Sequence, residues 1–361
     1  MKKVVFVHMY NDRSGSPRVL RDVVCACQEA GIPHELITSK HKNGFLDNLN
    51  CKKKELFYAR TNNKLITLLY YLISQCHLFL ICLGYRNQDV VFYINTMMPF
   101  GAALTGKLIG KDVYYHIHET SINPKLLKNI LRSVIKLTAK KIIYVSKYLQ
   151  EVEGFEGKEQ FIVYNAIDSD HVINSYLEIL KNRNREYFNV LMVCSLKKYK
   201  GVNDFIKIAS LCKSYSNIRF LLVLNATQDE INEYFKDMAI SDNVTIYTRQ
   251  LDVSIFYLKS DLVLNLSRPN EWVETFGLTI IEALSYSLPV IVPTIGGPAE
   301  IVCDGREGYL INSNEHKTIA KTIIRLSEYR NEYITLSMNA MKRASDFGVE
   351  MFKKNILKVI N

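Results

Sequence analysis

Apolar residues fall along this chain in short unbroken runs, each followed by a stretch in which they return every three or four positions. The first run, KVVFVH at residues 3–8, predicts a buried β-strand; NDRSGSP is a turn, and RVLRDVVCACQEAG carries a helical period that stops at Gly31. The strand HELIT comes next. This βαβ opening places Gly15 in the loop at the carboxyl end of the first strand, where open α/β sheets bind ligands. Gly15 has no second glycine at dinucleotide-binding spacing, so the loop is no dehydrogenase fingerprint. Further runs at 89–96 and 112–119, then AKKIIYVS and FIVYNAID, alternate with helical stretches such as PFGAALTGKLIG. Alternation of this kind predicts a parallel sheet covered on both faces, ending soon after Asp168.

The pattern then restarts. A polar, basic segment at 177–188 precedes a fresh strand, NVLMVCSL, and the runs at 219–224, 244–248, 261–267 and 289–293 predict a second parallel α/β domain. A chain of 361 residues exceeds what one core usually supports, so two domains agree with the length. The boundary falls near 180, giving domains of residues 1–180 and 181–344. Residues 65–83, LITLLYYLISQCHLFLICL, are nearly apolar and close to membrane-spanning length. Gln75, His77 and the βαβ pattern on both sides make a buried helix of the first domain the expectation. The basic stretch at 51–64 leaves room for a helix docked on an anionic membrane surface.

Composition narrows the class. Hydrophobic residues make up 48% and charged residues 23%, which is globular and leaves no disordered tract. The N-terminal run ends in HMYNDR without a small-residue cleavage site and reads as a strand, not a signal peptide. Eight cysteines form no CxxC pair, so neither a zinc site nor a disulfide framework is expected. A net charge of +10 points to an anionic partner: nucleic acid, a phosphorylated substrate or an anionic membrane. The cations are dispersed, with short clusters at Lys52–Lys54 and at Lys197, Lys198 and Lys200, and no nucleic-acid module is present.

Candidate chemistry lies in EWVETFGLTIIEALSYSLPVIVP, residues 271–293. Glu274 falls in a loop after a strand, and Glu282 about one and a half turns into the following helix, with Gly277 between them where a ligand would meet the first turn. Such a helix start favours anions, because its amides and its dipole face outward. Spacing alone favours the plainer reading, with Glu274 a solvated loop acid near a helix start and Glu282 an acid satisfied by the dipole.

The stretch ETFGLTIIEALSYSLPVIVPTIGGPAEIVCDGREGYLI resembles the signature of the retaining GT-B glycosyltransferases of family four: Glu, seven residues, Glu, then a Pro-Val strand, Gly-Gly, Glu and a Gly-Tyr-Leu strand. Shorter echoes are SGSPRVL, YHIHE, YVSKYL, VYNAID and VCSLKKYKGVNDFI. The resemblance implies a GT-B fold of two Rossmann-like domains facing a central cleft, with the last helix, about 345–361, packing back on the first domain. It implies that Glu274 contacts hydroxyls of the transferred sugar, that Glu282 holds the ribose, and that Thr275, Phe276, Gly277 and Leu278 face the sugar and diphosphate. Lys200 would neutralise the departing diphosphate, and His118 would lie near the donor sugar, with His116 as a structural partner on the opposite face. Arg249 is a candidate for the nucleobase pocket.

Some positions depart from the family pattern. Ser195 stands where the family usually has an Arg, leaving Lys197 or Lys198 to substitute; Gly15 is flanked by Ser14 and Ser16; Ala166 replaces a common Gly. The implied activity is transfer of a sugar from a nucleotide donor to a glycan or lipid-linked acceptor in cell-surface polysaccharide synthesis. No metal or other cofactor is expected, and the implied location is the cytoplasm, with peripheral contact at the inner membrane face. Rival readings are a sugar-nucleotide epimerase, a phosphorylase, and a non-catalytic nucleotide-sugar binder.

Overall fold

A computed structural model of the chain describes residues 2–41, 43–167 and 186–361. It forms two compact units, Met1–Asn165 with Glu350–Asn361, and Ala166–Val349. Asp168 and most of the polar boundary segment 177–188 lie outside the described residues.

In the first unit the strands are β1 (Lys3–Val7), β2 (His34–Ser39), β3 (Lys52–Leu56), β4 (Val90–Asn95), β5 (Asp112–Ile117), β6 (Lys141–Tyr144) and β7 (Glu159–Ile162). They form one parallel sheet in the order β3-β2-β1-β4-β5-β6-β7. Between them run α1 (Gly15–Glu29), α2 (Lys64–Leu83), α3 (Phe100–Leu108), α4 (Lys125–Thr138) and α5 (Lys147–Glu153). The central strands are buried from both sides, and Val4, Val5, Phe6 and Val7 expose almost nothing, which is why they read as continuous apolar runs. Past the end of α1, Gly31 adopts a left-handed φ of +66°, the conformation that closes helices most cheaply on glycine. Hydrophobic patterning does not disclose β3, KKKEL, because it is an edge strand whose lysines discourage pairing with other chains.

The second unit repeats the design with β8 (Phe188–Cys194), β9 (Ile218–Leu224), β10 (Val244–Tyr247), β11 (Leu262–Leu264), β12 (Val290–Val292) and β13 (Gly308–Leu310), parallel in the order β10-β9-β8-β11-β12-β13. Its helices are α6 (Val202–Leu211), α7 (Gln228–Phe235), α8 (Ser254–Leu258), α9 (Leu278–Ser285), α10 (Pro298–Ile301), α11 (His316–Glu328) and α12 (Arg330–Ala344). Both sheets reverse their winding once, between β1 and β4 and between β8 and β11, and the carboxyl ends of the strands at such a switch point form a ligand crevice. The last helix, α13 (Val349–Ile360), belongs almost wholly to the first unit. There Lys353 pairs with Glu29 at 2.7 Å, and Lys141 donates to the Val359 carbonyl at 2.6 Å.

One expectation is overturned. The apolar segment 65–83 is a helix, but it is not buried: α2 turns only Tyr71, Ser74, Gln75, Leu78 and Cys82 into the unit and leaves seven large apolar side chains exposed. Its composition is apolar all round, so no polar face marks a solvent side.

Candidate active site

In the second unit the site is built at the β8/β11 switch point. After β8 the chain passes Ser195 and the exposed Lys197, whose amide bonds to the Ser195 carbonyl at 2.7 Å, into a 3-10 turn, Lys198–Lys200. Gly201 then takes a φ of +76°, and a Cβ there would stand 2.2 Å from the Leu266 carbonyl oxygen. Only glycine lets this turn lie so close to the chain leaving β11. The approach brings the Lys200 ammonium into an ion pair with Glu274, whose carboxylate also accepts from the Ser267 hydroxyl at 3.2 Å.

Burial opposes ionisation of both partners. For Glu274 the Lys200 charge and the bonds from Lys200 and Ser267 outweigh it and hold the carboxyl below its ordinary range. For Lys200 the Glu274 carboxylate outweighs desolvation and raises the ammonium above its own. Both groups are charged at neutral pH.

The loop carrying Glu274 is tied along its length. Arg268 bonds the buried Asp204 of α6 through two nitrogens, at 2.7 and 3.1 Å, and His316, opening α11, reaches the same carboxylate at 2.8 Å. Trp272 stacks on Tyr199 with ring centroids 5.1 Å apart, and the Arg268 amide donates to the Tyr199 carbonyl at 2.8 Å. Beneath Glu274 run Gly296 and Gly297. A Cβ on Gly296 would meet the Glu274 carbonyl at 2.4 Å, and one on Gly297 would meet the Phe276 Cα and the Thr275 carbonyl at 2.4 Å. The Phe276 side chain is turned inward, edge-on to Phe347. Gly277, at φ +114°, caps α9 without a side chain, so Leu278 begins the helix at an open end. One turn further in, Glu282 is nearly buried and accepts from the Tyr257 hydroxyl at 2.6 Å, with Tyr257 stacked on Tyr286 at 5.3 Å.

Arg249 follows β10 and is exposed; it donates to Asn225, beyond β9, at 2.6 Å. Glu230, held low chiefly by hydrogen bonds from Thr227, also feels Arg249 and Lys197. Arg249 and Lys197 each lie past the carboxyl end of a strand, β10 and β8.

The first unit has its own constellation at the β1/β4 switch point. Asn95, the last residue of β4, bonds His8 beyond β1 at 3.0 Å and the Ser16 carbonyl at 3.1 Å, and its oxygen accepts from His118 Nε2 at 2.8 Å. Gly15 opens α1 beside Ser16. The tautomers follow from this pattern of donors. Burial pushes His8 down to about 4, His116 down to about 3 and His118 well below the usual imidazole range, so all three are neutral at pH 7. Glu119 accepts from the Met97 and His118 amides at 2.8 and 3.2 Å, and burial raises its carboxyl to about 7. His116 is not on the opposite face. Its ring lies 4.3 Å from that of His118 and bonds Tyr93 at 2.8 Å, because residues two apart on a strand share a side.

Reading the sequence did not select Ser267, Tyr257, Asn95, His8 or the Asp204–Arg268–His316 brace. His8 and Ser267 each close an apolar run at a strand's carboxyl end, a position that could have flagged them; Tyr257 and Asp204 carry no such signal.

Residues 178–343 match the family model described as Glycosyl transferases group 1. The alpha-monoglucosyldiacylglycerol synthase of Acholeplasma laidlawii is 27% identical over 277 residues, covering 74% of this chain and 65% of that protein. The N-acetyl-alpha-D-glucosaminyl L-malate synthase of Bacillus anthracis is 27% identical over 282 residues, covering 74% and 72%. Among solved structures, Anabaena HepE in complex with UDP and glucose superposes with a TM-score of 0.81 at 20% identity, over 100% of this chain and 99% of that one. The shared fold is GT-B, with two Rossmann-like parallel-sheet domains.

Proposed function

We propose that this chain, which over its C-terminal half belongs to the group 1 glycosyl transferases, moves a sugar from a nucleotide-diphosphate donor to a hydroxyl of a glycan or lipid-linked acceptor. The single observation that carries the reading is the Lys200–Glu274 pair held over the start of α9 at the β8/β11 switch point. A fixed cation beside a helix N-terminus suits a diphosphate, and an ionised carboxylate next to it suits the hydroxyls of the attached sugar. On donor binding, Lys200 turns its charge to the leaving diphosphate and Glu274 accepts from the sugar. The amides from Thr275 to Leu278 line the path between them. Tyr257 orients Glu282 toward the ribose, and Lys197 takes the place of the cation missing at Ser195, with Arg249 toward the base.

Transfer retains anomeric configuration: the acceptor oxygen attacks the face that the diphosphate leaves, the sugar–phosphate bond breaks, and the acceptor proton passes to the departing phosphate oxygen. The first unit, with His118 and Gly15, serves the acceptor and the sugar. We assign the chain to cell-surface polysaccharide synthesis on the cytoplasmic side of the membrane, where nucleotide sugars are made. Lys200 and the helix amides supply the neutralisation that a metal provides elsewhere, so turnover should be unchanged by a chelator such as EDTA.

The test is a thermal-shift panel of nucleoside diphosphates followed by a transfer assay with the sugar form of the one that binds, because a ligand selective for the native state raises the melting temperature. Glu274→Ala should abolish transfer while the protein stays folded at the assay temperature; undiminished turnover would sink the assignment, and binding without turnover by the wild type would make the chain a nucleotide-sugar binder.

A further inference from the structure

The helix α2 has two opposite faces with different fates. Its inner stripe is fastened by hydrogen bonds: the Tyr71 hydroxyl donates to the Met98 carbonyl at 2.8 Å, Ser74 to the Phe57 carbonyl at 2.5 Å, and the Gln75 side chain accepts from the Gly101 amide at 2.9 Å. The outer stripe is Leu65, Leu69, Leu72, Cys76 and Leu80, recurring every three or four residues and so lying along one line. Leu65, Leu69 and Leu80 are 77%, 55% and 66% exposed. At 1.5 Å per residue this line runs for about 23 Å, and a contiguous apolar surface of that extent marks an interaction site.

The neighbourhood says what kind. The short helix α3 packs against both α2 and α4, and α4 exposes a second apolar row, Leu126, Ile130 and Leu137, with Lys125 and Lys136 exposed beside it. Residues 56–88, 90–111 and 120–150, which contain all three helices, hold no aspartate or glutamate. Two copies of such a face would bring uncompensated cations together, which disfavours self-association. A spanning role for α2 is equally disfavoured, since its inner face is bonded to the unit's own backbone.

We propose that the outer faces of α2 and α4 form a docking surface for an anionic lipid bilayer, with α2 lying in the plane of the interface, its leucines in the acyl boundary and the lysines at the headgroups. The two helices follow β3 and β5, so their N-terminal ends, Leu65 and Leu126, lie toward the sheet edge that carries His118. Docking sets that edge close to the lipid. The orientation deepens the lipid-linked acceptor reading, whereas docking itself stands without it.

The experiment is flotation of the full chain with vesicles of phosphatidylcholine alone or mixed in equal parts with phosphatidylglycerol. Co-flotation with the mixed vesicles only is expected. Leu69→Glu with Leu72→Glu should cut the bound fraction by about tenfold or more, and Lys125→Gln and Lys136→Gln should each weaken binding roughly fivefold. Melting curves check the fold of each variant, and Leu80→Glu replaces the double variant if that one melts early. No flotation with either vesicle, or flotation unchanged in the leucine variants, overturns the proposal. So does light scattering that finds a dimer abolished by the same variants, since a second copy would then cover the stripe. Turnover of a water-soluble acceptor should be equal in wild type and variants; its absence from the wild type would count against the transferase reading and leave flotation untouched.

Discussion

The two switch points occupy the same topological position in their sheets and are chemically opposite. In the second unit, Lys200 and Glu274 keep both charges, because each supplies the counter-ion that outweighs the other's desolvation. In the first, His8, Asn95 and His118 form a neutral hydrogen-bonded row, and Glu119, an acid beside it, is pushed up toward neutrality. Burial acts on both sites in the same sense; what differs is whether an opposite charge is close enough to oppose it. The ionised site suits an anion with hydroxyls next to it, and the neutral one suits uncharged hydroxyl groups.

That contrast breaks most visibly at the charged pair. Lys200→Ala or Glu274→Ala should each lower kcat/KM by about 10³-fold or more and destabilise the second unit by about 3 kcal/mol, since the partner is left as a buried, unpaired charge. The double variant should melt above either single one; denaturant titration of the three proteins checks this. On the neutral side, His118→Ala should cost about 10²-fold in kcat, by loss of a positioned group, with little change in nucleoside diphosphate binding measured by calorimetry.

A smaller effect is expected one turn into α9. Tyr257→Phe removes a single hydrogen bond to Glu282 and should raise the donor KM about fivefold while kcat holds.

The pH dependence of stability separates the two acids by sign. Glu274 has a folded pKa below its ordinary value, so its contribution is present above that value and is lost as pH falls through the folded pKa. Glu119 rises from 4.5 to about 7, so its contribution is complete below about 4.5 and disappears as pH climbs to 7. Glu119→Gln should therefore flatten the decline in melting temperature between pH 5 and 8, an effect on the order of 2 kcal/mol at most.

How much of this was legible follows from what the residues had to do. Strands buried on both faces announce themselves as apolar runs, so both sheets could be read, and KKKEL could not, because an edge strand is selected against looking like a core one. The segment of α2 failed in the opposite way: its sequence is equally apolar inside and out, and only Ser74 and Gln75 hint at which stripe is fastened. The motif around Glu274 gave the acids and Gly277. It did not give the tertiary partners, since Asp204, His316 and Tyr257 lie 70, 42 and 17 residues from Glu274 along the chain. His116 was misplaced by an error of periodicity, as strand neighbours two apart look the same way.

The brace on residues 268–277 has one further consequence. Arg268 is clamped between Asp204 and Glu271, Trp272 is stacked, and two glycines lie against the backbone from Glu274 to Phe276. A loop held at so many points has already given up its conformational entropy during folding. A donor that lands on it pays for ordering itself and little else. Affinity at this end of the molecule should thus be insensitive to changes that merely stiffen the chain, and sensitive to any that loosen Asp204.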